Sequence, residues 1–383
     1  MPNIEFEEIS ILVNKIHLGD CLSVMKRFPD KSINAVITSP AYWQLRNYGW
    51  AGQWGLEPTY PMYLENLWSL MDEIWRVLKD DGTVWINLGD TYSTQSGTNT
   101  AIAKGTHTKQ KSTYLVNRGA SGLLMKDKSL PNKCLMLIPH RFAIGCIDKG
   151  WIMRNDIIWA KRNGMPESVK DRFSKKHEYF FFMVKNEKYY FDLDGIKDKI
   201  KTASIERALR GVSETNKWVN GVDGQAPHNL SKPRPNITTK IPKENHQMFG
   251  SPRARQHRQS NGKSVFGGIK GDGQDPNGIY SGKEWFPNPD GKNPGSVSDF
   301  WDIPTIGSKD AHYASYNTKL IDKPIVAGCP PGGIILDPFC GTATTGCRAI
   351  ELGRKFIGIE GSEKYVQIAN KKLHPFLIAQ QLF

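Results

Sequence analysis

At 383 residues the chain can bury a large core, and a catalytic domain carrying one insertion is the partition expected for that length. Its 51 Lys and Arg against 38 Asp and Glu leave a net charge of +13, which suits a polyanionic partner better than a small acidic metabolite. No apolar run approaches the ~20 residues of a membrane span, and the acidic stretch Met1 to Ser10 lacks the basic-then-apolar layout of a signal peptide, so an intracellular protein is expected.

Six cysteines, at 21, 134, 146, 329, 340 and 347, form no Cys-x-x-Cys pair and accompany no His cluster at zinc spacing, so they read as reduced, mostly buried thiols and no metal is expected. In chain order, Asn14 to Leu18 reads as a short strand ending at Gly19-Asp20, followed by a helix through Leu22, Met25 and Phe28. An acid there can either cap that helix or, at a strand end beside a cofactor crevice, accept from an adenine amine or a ribose hydroxyl. Ile33 to Ile37 is an apolar run that reads as a buried strand, and Thr38-Ser39-Pro40-Ala41-Tyr42-Trp43 emerges where it ends. Ser39 offers an acceptor oxygen, Pro40 fixes the turn and leaves its carbonyl free, and Tyr42 and Trp43 supply flat apolar faces. Together they could grip a planar ring that carries an exocyclic amine.

The glycine- and aromatic-rich stretch Gln44 to Pro58 reads either as a loop that closes over a substrate or as a packed surface loop. Apolar residues at three- and four-residue steps predict an amphipathic helix over Pro61 to Lys79, ended by Asp80-Asp81-Gly82, with a buried strand over Thr83 to Leu88. From Thr94 to Lys133 there are seven basic residues against Asp127, the pattern of a mobile loop ordered by a polyanion. A helix over Leu135 to Ile147, a strand over Trp151 to Trp159, a polar loop over Lys161 to Arg172 and a central strand over Glu178 to Val184 follow.

From Asp192 to about Ser298 the chain turns polar and rich in glycine and proline, with one weak helix near Ile200 to Leu209. Between Pro227 and Lys270 stand nine basic residues, among them Lys232, Arg234, Arg253, Arg255, Arg258 and Lys263, against Glu244 alone; more than half of the net charge lies there. Phosphate contact is the expected use, with interleaved Asn, Gln and Arg available to base edges; a solvated insertion is the alternative. Leu320 to Ala327 reads as a helix, Ile334 to Leu336 as a strand, and Phe356 to Glu360 as a second strand followed by a last helix over Ser362 to Leu373. Two strands cannot bury their own faces, so Asn14 to Leu18 and Ile33 to Ile37 are expected to join them from the other end of the chain.

The run from Thr38 to Trp43 resembles the Ser-Pro-Pro-Tyr catalytic motif of amino-methylating DNA methyltransferases. Asp337-Pro338-Phe339-Cys340-Gly341-Thr342-Ala343-Thr344-Thr345-Gly346 resembles their cofactor loop, usually Asp-Pro-Phe, one variable residue and Gly-Ser-Gly-Thr. The catalytic motif precedes the cofactor loop by about three hundred positions, the order found in the family's permuted β-type members. Asn155 to Trp159, Met165 to Ser168 and His177 to Tyr179 carry the same likeness. Two positions depart from it: Ala41 stands in place of the second proline and Ala343 in place of the second glycine.

The resemblance implies an α/β fold, a Rossmann-like and circularly permuted S-adenosylmethionine-dependent methyltransferase sheet with an irregular target-recognition insertion. Residues 1–191 would form its catalytic part, 192–298 the DNA-binding insertion and 299–383 the cofactor-binding part. It implies S-adenosyl-L-methionine held by Asp20 at the adenine, Ser315 at the carboxylate, Asp337 at the methionine end, Phe339 on the adenosine, Gly341 and Thr342 in the loop, and Glu360 on the ribose. Glu360 also sits about twenty residues after the glycine loop, where dinucleotide-type folds place an acid on ribose hydroxyls.

Ser39, Pro40, Tyr42 and Trp43 would act on a base flipped out of double-stranded DNA. Within the family, serine at the first motif position usually accompanies N4-cytosine methylation, and aspartate or asparagine N6-adenine methylation, so cytosine is the expected base. The alternatives are an N6-adenine enzyme on the same scaffold, a catalytically silent DNA-binding relative, and methylation of a protein glutamine, against which the basic insertion argues. Monomer or homodimer, and a cognate restriction endonuclease acting separately, stay open; the cytoplasm is the expected compartment.

Overall fold

The computed structural model describes residues 7–50, 52–93, 130–164, 167–197, 259–260, 263–264, 297–305 and 317–381. The chain divides into two units, one made of Met1–Asp192 with Ser298–Phe383 and the other of Leu193–Val297. The first opens with helix α1 (Ile9–Leu12), strand β1 (Lys15–Leu18), helix α2 (Cys21–Met25) and strand β2 (Ile33–Thr38). Helix α3 (Tyr60–Val77) starts where Thr59 caps it, its side chain accepting from Met62 N, and Pro61 sits in the first turn, where its missing N–H costs nothing. Its repeat of Tyr63, Leu64, Leu67, Leu70, Met71, Ile74 and Val77 is buried.

Strand β3 (Leu78–Leu88) begins earlier than the sequence predicts. Ile33 pairs with Leu78 and Ala35 with Thr83, so the expected turn residues bulge out within the strand instead of preceding it. Helix α4 (Ile138–Asp148) begins three residues later than expected. Leu137 takes a left-handed conformation, Pro139 fills the first turn, and Asp90 from the end of β3 accepts from the Leu137 and Ile138 N–H groups. Strands β4 (Ile152–Ala160) and β5 (His177–Val184) complete this half.

In the second unit the described residues form helix α5 (Leu193–Ile196) and the antiparallel pair β6 (Gln259–Ser260) and β7 (Lys263–Ser264). The helix expected near Ile200 to Leu209 and most of the basic loop expected over Thr94 to Lys133 lie outside the described residues.

The first unit resumes with β8 (Phe300–Asp302), α6 (Thr318–Gly328), β9 (Ile334–Asp337), α7 (Thr344–Glu351), β10 (Lys355–Glu360) and α8 (Glu363–Gln381). Helix α8 runs on past Leu373 and through Pro375, with Phe376 and Leu377 packed against the core, so tertiary packing overrides the stop that the proline signals.

The eight-stranded sheet has the order β1-β10-β9-β2-β3-β5-β4-β8. Strands β1, β10, β9, β2 and β3 run parallel to their neighbours, β5 runs antiparallel between β3 and β4, and β4 pairs parallel with β8. The two N-terminal strands thus flank the two C-terminal ones, as the exposed faces of a two-stranded half require. One face buries Val36, Ile86, Phe181 and Leu336 with Phe28, Leu67 and Phe142 from the N-terminal half, and the other buries Ile37, Trp85, Phe182 and Ile335 with Ile321, Ile325 and Ile350. Adjacent residues of one strand therefore serve opposite cores, the pattern of a sheet covered on both faces.

Close approach leaves no room for a side chain where α6 meets the sheet. A Cβ on Gly328 would lie 2.4 Å from Trp85 Nε1 and 2.6 Å from Thr83 Oγ1, and the Thr83 hydroxyl donates to the Gly328 carbonyl at 2.7 Å. Gly328→Ala is expected to destabilise the protein by about 1–3 kcal/mol through overpacking, read as a lower midpoint in denaturant unfolding. An unchanged midpoint would mean that the Trp85 ring moves aside freely.

Candidate active site

Because β1, β10, β9, β2 and β3 are parallel, their carboxyl ends open on one edge of the sheet, where α/β folds form their crevices. A cavity of about 330 Å³ lies there. Its wall includes Ser39, Pro40 and Tyr42 after β2, Asp337, Phe339, Gly341 and Thr342 after β9, Glu360 at the end of β10 and Asp20 after β1. The two stretches that carry the resemblance, separated by three hundred residues of chain, thus share one wall.

They also touch. The Thr38 hydroxyl donates to Asp337 Oδ1 at 2.7 Å, the Thr345 hydroxyl donates to Oδ2 at 2.6 Å, and the Phe339 N–H donates to Oδ1 at 3.1 Å. Asp337 is only 2% exposed, and burial pushes its carboxyl up to about 6 against the pull of those three donors. Its first task is therefore internal, to brace the strand ends. Glu360 is differently placed: Oε2 accepts from Gly341 N at 3.0 Å and Oε1 from Ser362 N at 2.8 Å. Burial raises its carboxyl to about 7, while the backbone donors and the nearby Asp337 shift it less.

Asp20 is a helix cap that also faces the cavity. It caps α2, accepting from the Ser23 N–H and hydroxyl at 3.0 Å each, and it lines the cavity. Phe339 lines the cavity with its ring edge-to-face against Trp54 at 5.3 Å. Thr342 is buried. Ala343 sits in the left-handed region at φ 59°, where a glycine is at ease and an alanine is strained by about 1–2 kcal/mol.

In the run from Thr38 to Trp43, Tyr42 is held by its hydroxyl, which lies 2.9 Å from both Asn87 Oδ1 and Glu178 Oε2. Its ring lies where a Cβ on Gly89 would have to go, 2.5 Å from Tyr42 Cε2, so only glycine fits at that point of the chain. The Ser39 hydroxyl donates to Asn87 Oδ1 at 3.4 Å, and Asn87 Nδ2 donates to the Tyr179 carbonyl at 3.0 Å. Glu178 in turn pairs with Lys161, whose ammonium lies 4.3 Å from the centre of the Trp159 ring.

Trp43 departs from the expectation. It is 6% exposed, its Nε1–H donates to the Glu57 carbonyl at 3.0 Å, its ring packs edge-to-face on Tyr60 at 6.4 Å, and it is not among the residues that line the cavity. Neighbouring side chains leave the backbone in different directions here, so Tyr42 takes the cavity and Trp43 the core. The loop that follows is packed and lines the cavity at once. Buried Gln53 accepts from the Tyr48 and Gly49 N–H groups and donates to the Arg46 carbonyl, which fixes Arg46, Tyr48, Trp50 and Trp54 along the wall. The Arg46 Nη1 is buried with no hydrogen-bond partner in the protein.

Sequence reasoning gave no site role to Asn87, Glu178, Lys161, Trp159 and Arg46, although Trp159 and Glu178 lie in stretches that carry the resemblance. A polar Asn87 inside the apolar run Val84 to Leu88 was the readable signal for the first. Ser315 lies outside the described residues, as do Lys232, Arg234, Arg253, Arg255 and Arg258. Lys263 falls in β7 of the second unit. All six cysteines are free and four of them are buried. Among the described residues, no cluster of His, Cys, Asp and Glu could hold a metal ion, and no helix is long and apolar enough to cross a membrane.

A family model described as DNA methylase, covering N6- and N4-directed enzymes, matches residues 33–371. The chain is 30% identical over 355 residues to the type II methyltransferase M.Cfr9I of Citrobacter freundii, across 93% of this chain and 86% of that one. It is 31% identical to the type II methyltransferase M.SfiI of Streptomyces fimbriatus, across 92% and 89%. Among solved structures, the PvuII DNA methyltransferase (cytosine-N4-specific) shares the fold with a TM-score of 0.52 at 15% identity, across 96% of this chain and 90% of that one. With the family match spanning nearly the whole chain and the two motifs on one wall, the chain belongs to the N6/N4 DNA methylase family and is a DNA methyltransferase.

Proposed function

We propose that the protein transfers a methyl group from S-adenosyl-L-methionine to the exocyclic N4 amine of a cytosine flipped out of double-stranded DNA. The observation that carries this reading is the meeting of Ser39 and Pro40 with Asp337 to Thr342 and Glu360 on the wall of one cavity.

The residues present fit the cofactor. Glu360 takes one backbone donor on each oxygen and has lone pairs left for ribose hydroxyls, and Asp20 can accept from an adenine amine. The orphaned Arg46 Nη1 is a buried donor at the same wall, as a ligand with acceptor or anionic groups would leave it. The acids Asp337 and Glu360 suit a ligand that carries positive charge. When bound, S-adenosyl-L-methionine supplies an electrophilic methyl group on a sulfonium.

The chain's own residues supply orientation. A base amine is a poor nucleophile because its lone pair is delocalised into the ring. Hydrogen bonds from the NH₂ to Ser39 Oγ and to the Pro40 carbonyl favour a more tetrahedral nitrogen with a localised pair, and Tyr42, fixed by Asn87 and Glu178, offers its ring to the base. No strong base is needed, because the methylated nitrogen carries a positive charge and sheds its extra proton readily. Carbon-5 methylation would need a thiolate nucleophile, and the two cysteines on this wall, Cys21 and Cys340, are both pushed up by burial and so held as thiols. The basic residues of the insertion, including Lys232, Arg234, Arg253, Arg255, Arg258 and Lys263, are the proposed contacts to DNA phosphates, and affinity for DNA should fall steeply with salt.

Sequencing that detects modified bases in DNA from expressing cells, followed by mass analysis of the nucleosides, should find N4-methylcytosine at one recognition sequence. N6-methyladenine there would overturn the choice of base. Ser39→Ala should lower methylation about 10²–10³-fold while calorimetry finds cofactor affinity unchanged; undiminished turnover would remove Ser39 from the mechanism. Cofactor affinity should weaken as pH falls through about 7, because the ionised Glu360 is the better acceptor and protonation removes it. Glu360→Gln should flatten that profile, and a wild-type affinity independent of pH would contradict the role given to Glu360.

A further inference from the structure

Lys161, just past the end of β4, and Glu178, in β5, lie on the part of the cavity wall that Ser39, Tyr42 and Asn87 also form. Contacts link these residues in sequence. Ser39 Oγ reaches Asn87 Oδ1 at 3.4 Å, Asn87 Oδ1 reaches the Tyr42 hydroxyl at 2.9 Å, and that hydroxyl reaches Glu178 Oε2 at 2.9 Å. Lys161 holds the other carboxylate oxygen.

An ammonium has three donors and no acceptor. Glu178 takes one of them, and the Trp159 face 4.3 Å away takes none by hydrogen bonding. The side chains of Lys161 and Glu178 are only 19% and 16% exposed, and the Lys161 backbone N–H is tied to the Lys176 carbonyl at 2.8 Å. Lys161 is therefore a fixed, largely dehydrated cation with donors to spare. Of the described residues that line the cavity, Arg46 is the other cation, and it belongs to the braced loop with Tyr48 and Gln53.

The base presents complementary chemistry. Beside its exocyclic amine, cytosine offers two acceptors in a row, ring N3 and then O2. Adenine offers one acceptor, N1, followed by a C–H. Ser39 Oγ and the Pro40 carbonyl can serve the amine but can do nothing for those acceptors, and an acceptor left buried without a donor weakens binding. We propose that Lys161 is the specificity-determining donor of the base subsite, its ammonium, locked by Glu178 and seated over Trp159, meeting the N3 and O2 edge of the flipped cytosine. This assignment rests on the N4-cytosine reading above.

The test uses the full-length protein and duplexes that carry, at the mapped target position, either deoxycytidine or 3-deazadeoxycytidine, which keeps the amine and O2 but replaces ring N3 with C–H. Wild type should prefer deoxycytidine in kcat/KM by about 10- to 100-fold, as expected for a hydrogen bond from a charged donor. Lys161→Met, which keeps an apolar stem over Trp159, should bring the two substrates to within about threefold of one another. Lys161→Arg should restore part of the preference. The ratio is taken within one preparation, so a partly folded variant does not alter it, and a purely structural loss would lower both rates and leave the ratio as in wild type. An unchanged ratio in Lys161→Met overturns the assignment alone. A wild type that forms no N4-methylcytosine overturns it together with the cytosine reading.

Discussion

The hydrogen bond from Thr38 to Asp337 joins residues 299 apart in sequence and holds the site together. Strands β2 and β9 are paired directly only at Ala35 with Ile335 and Val36 with Leu336, a short ladder for a contact that must fix where two motifs emerge. Side chains clamp it at both ends. At the carboxyl end Asp337 takes the hydroxyls of Thr38 and Thr345, and at the amino end Asn34 Oδ1 accepts from the Ile334 N–H at 3.0 Å. A slip of one residue would turn every β2 side chain to the opposite face, burying Ser39 and leaving the Asp337 carboxylate without its partner from the other strand.

The direction of the strands then divides the labour along the cavity. Five parallel strands deliver Gly19-Asp20, Glu360, Asp337, Ser39 and Asn87 at their carboxyl ends, and the reversed β5 delivers Glu178 at its amino end to the same edge. The part of the wall proposed for the cofactor is acidic and backbone-rich, with two carboxyls raised toward neutrality by burial. The other part is a side-chain network in which hydroxyl, amide, carboxylate and ammonium are each held by the next. Such a wall needs little rearrangement on binding, which is how fixed dipoles and charges favour an oriented reaction over mere adhesion.

That most of the residues expected at the cofactor and in the motif share one wall was legible in the sequence, because they directly follow apolar runs and a residue at the end of a buried strand has one place to go. Ser39, Asp337 and Glu360 are of that kind. Glu178 was not legible as a site residue, since its position at the amino end of β5 depends on that strand running backwards, and Lys161 reaches the same edge only because β4 reverses the sense again; nothing in an apolar run states its direction. Trp43 misled for a related reason: adjacency to Tyr42 says nothing about which side of the chain it leaves, and the pocket between Glu57 and Tyr60 claims it. The bulge in β3 and the passage of α8 through Pro375 are cases where local turn and breaker signals were real but packing outweighed them.

The two positions where the motifs depart from the usual pattern show how a missing local preference is made good by other contacts. A second proline would stiffen the chain after Pro40; Ala41 cannot, but its carbonyl accepts from the hydroxyl of Tyr63 at 2.8 Å, and Tyr63 is a fully buried residue of α3. One residue further the backbone is held again, by Leu45 N donating to the Tyr42 carbonyl at 3.2 Å and Gln44 N to Gly55 O at 2.6 Å. Ala343 keeps the left-handed turn a glycine would adopt freely, and it does so fully buried, with its N–H donating to the Cys340 carbonyl at 2.8 Å and its carbonyl starting α7 through Cys347 N at 3.0 Å. The strain is about 1–2 kcal/mol, offset in part by a methyl group withdrawn from water at about 0.8 kcal/mol. Ala41 is thus held from outside its motif and Ala343 by the turn and helix start of its own loop, which is how a motif short of one proline and one glycine can still present the same serine, carbonyl and loop to the cavity.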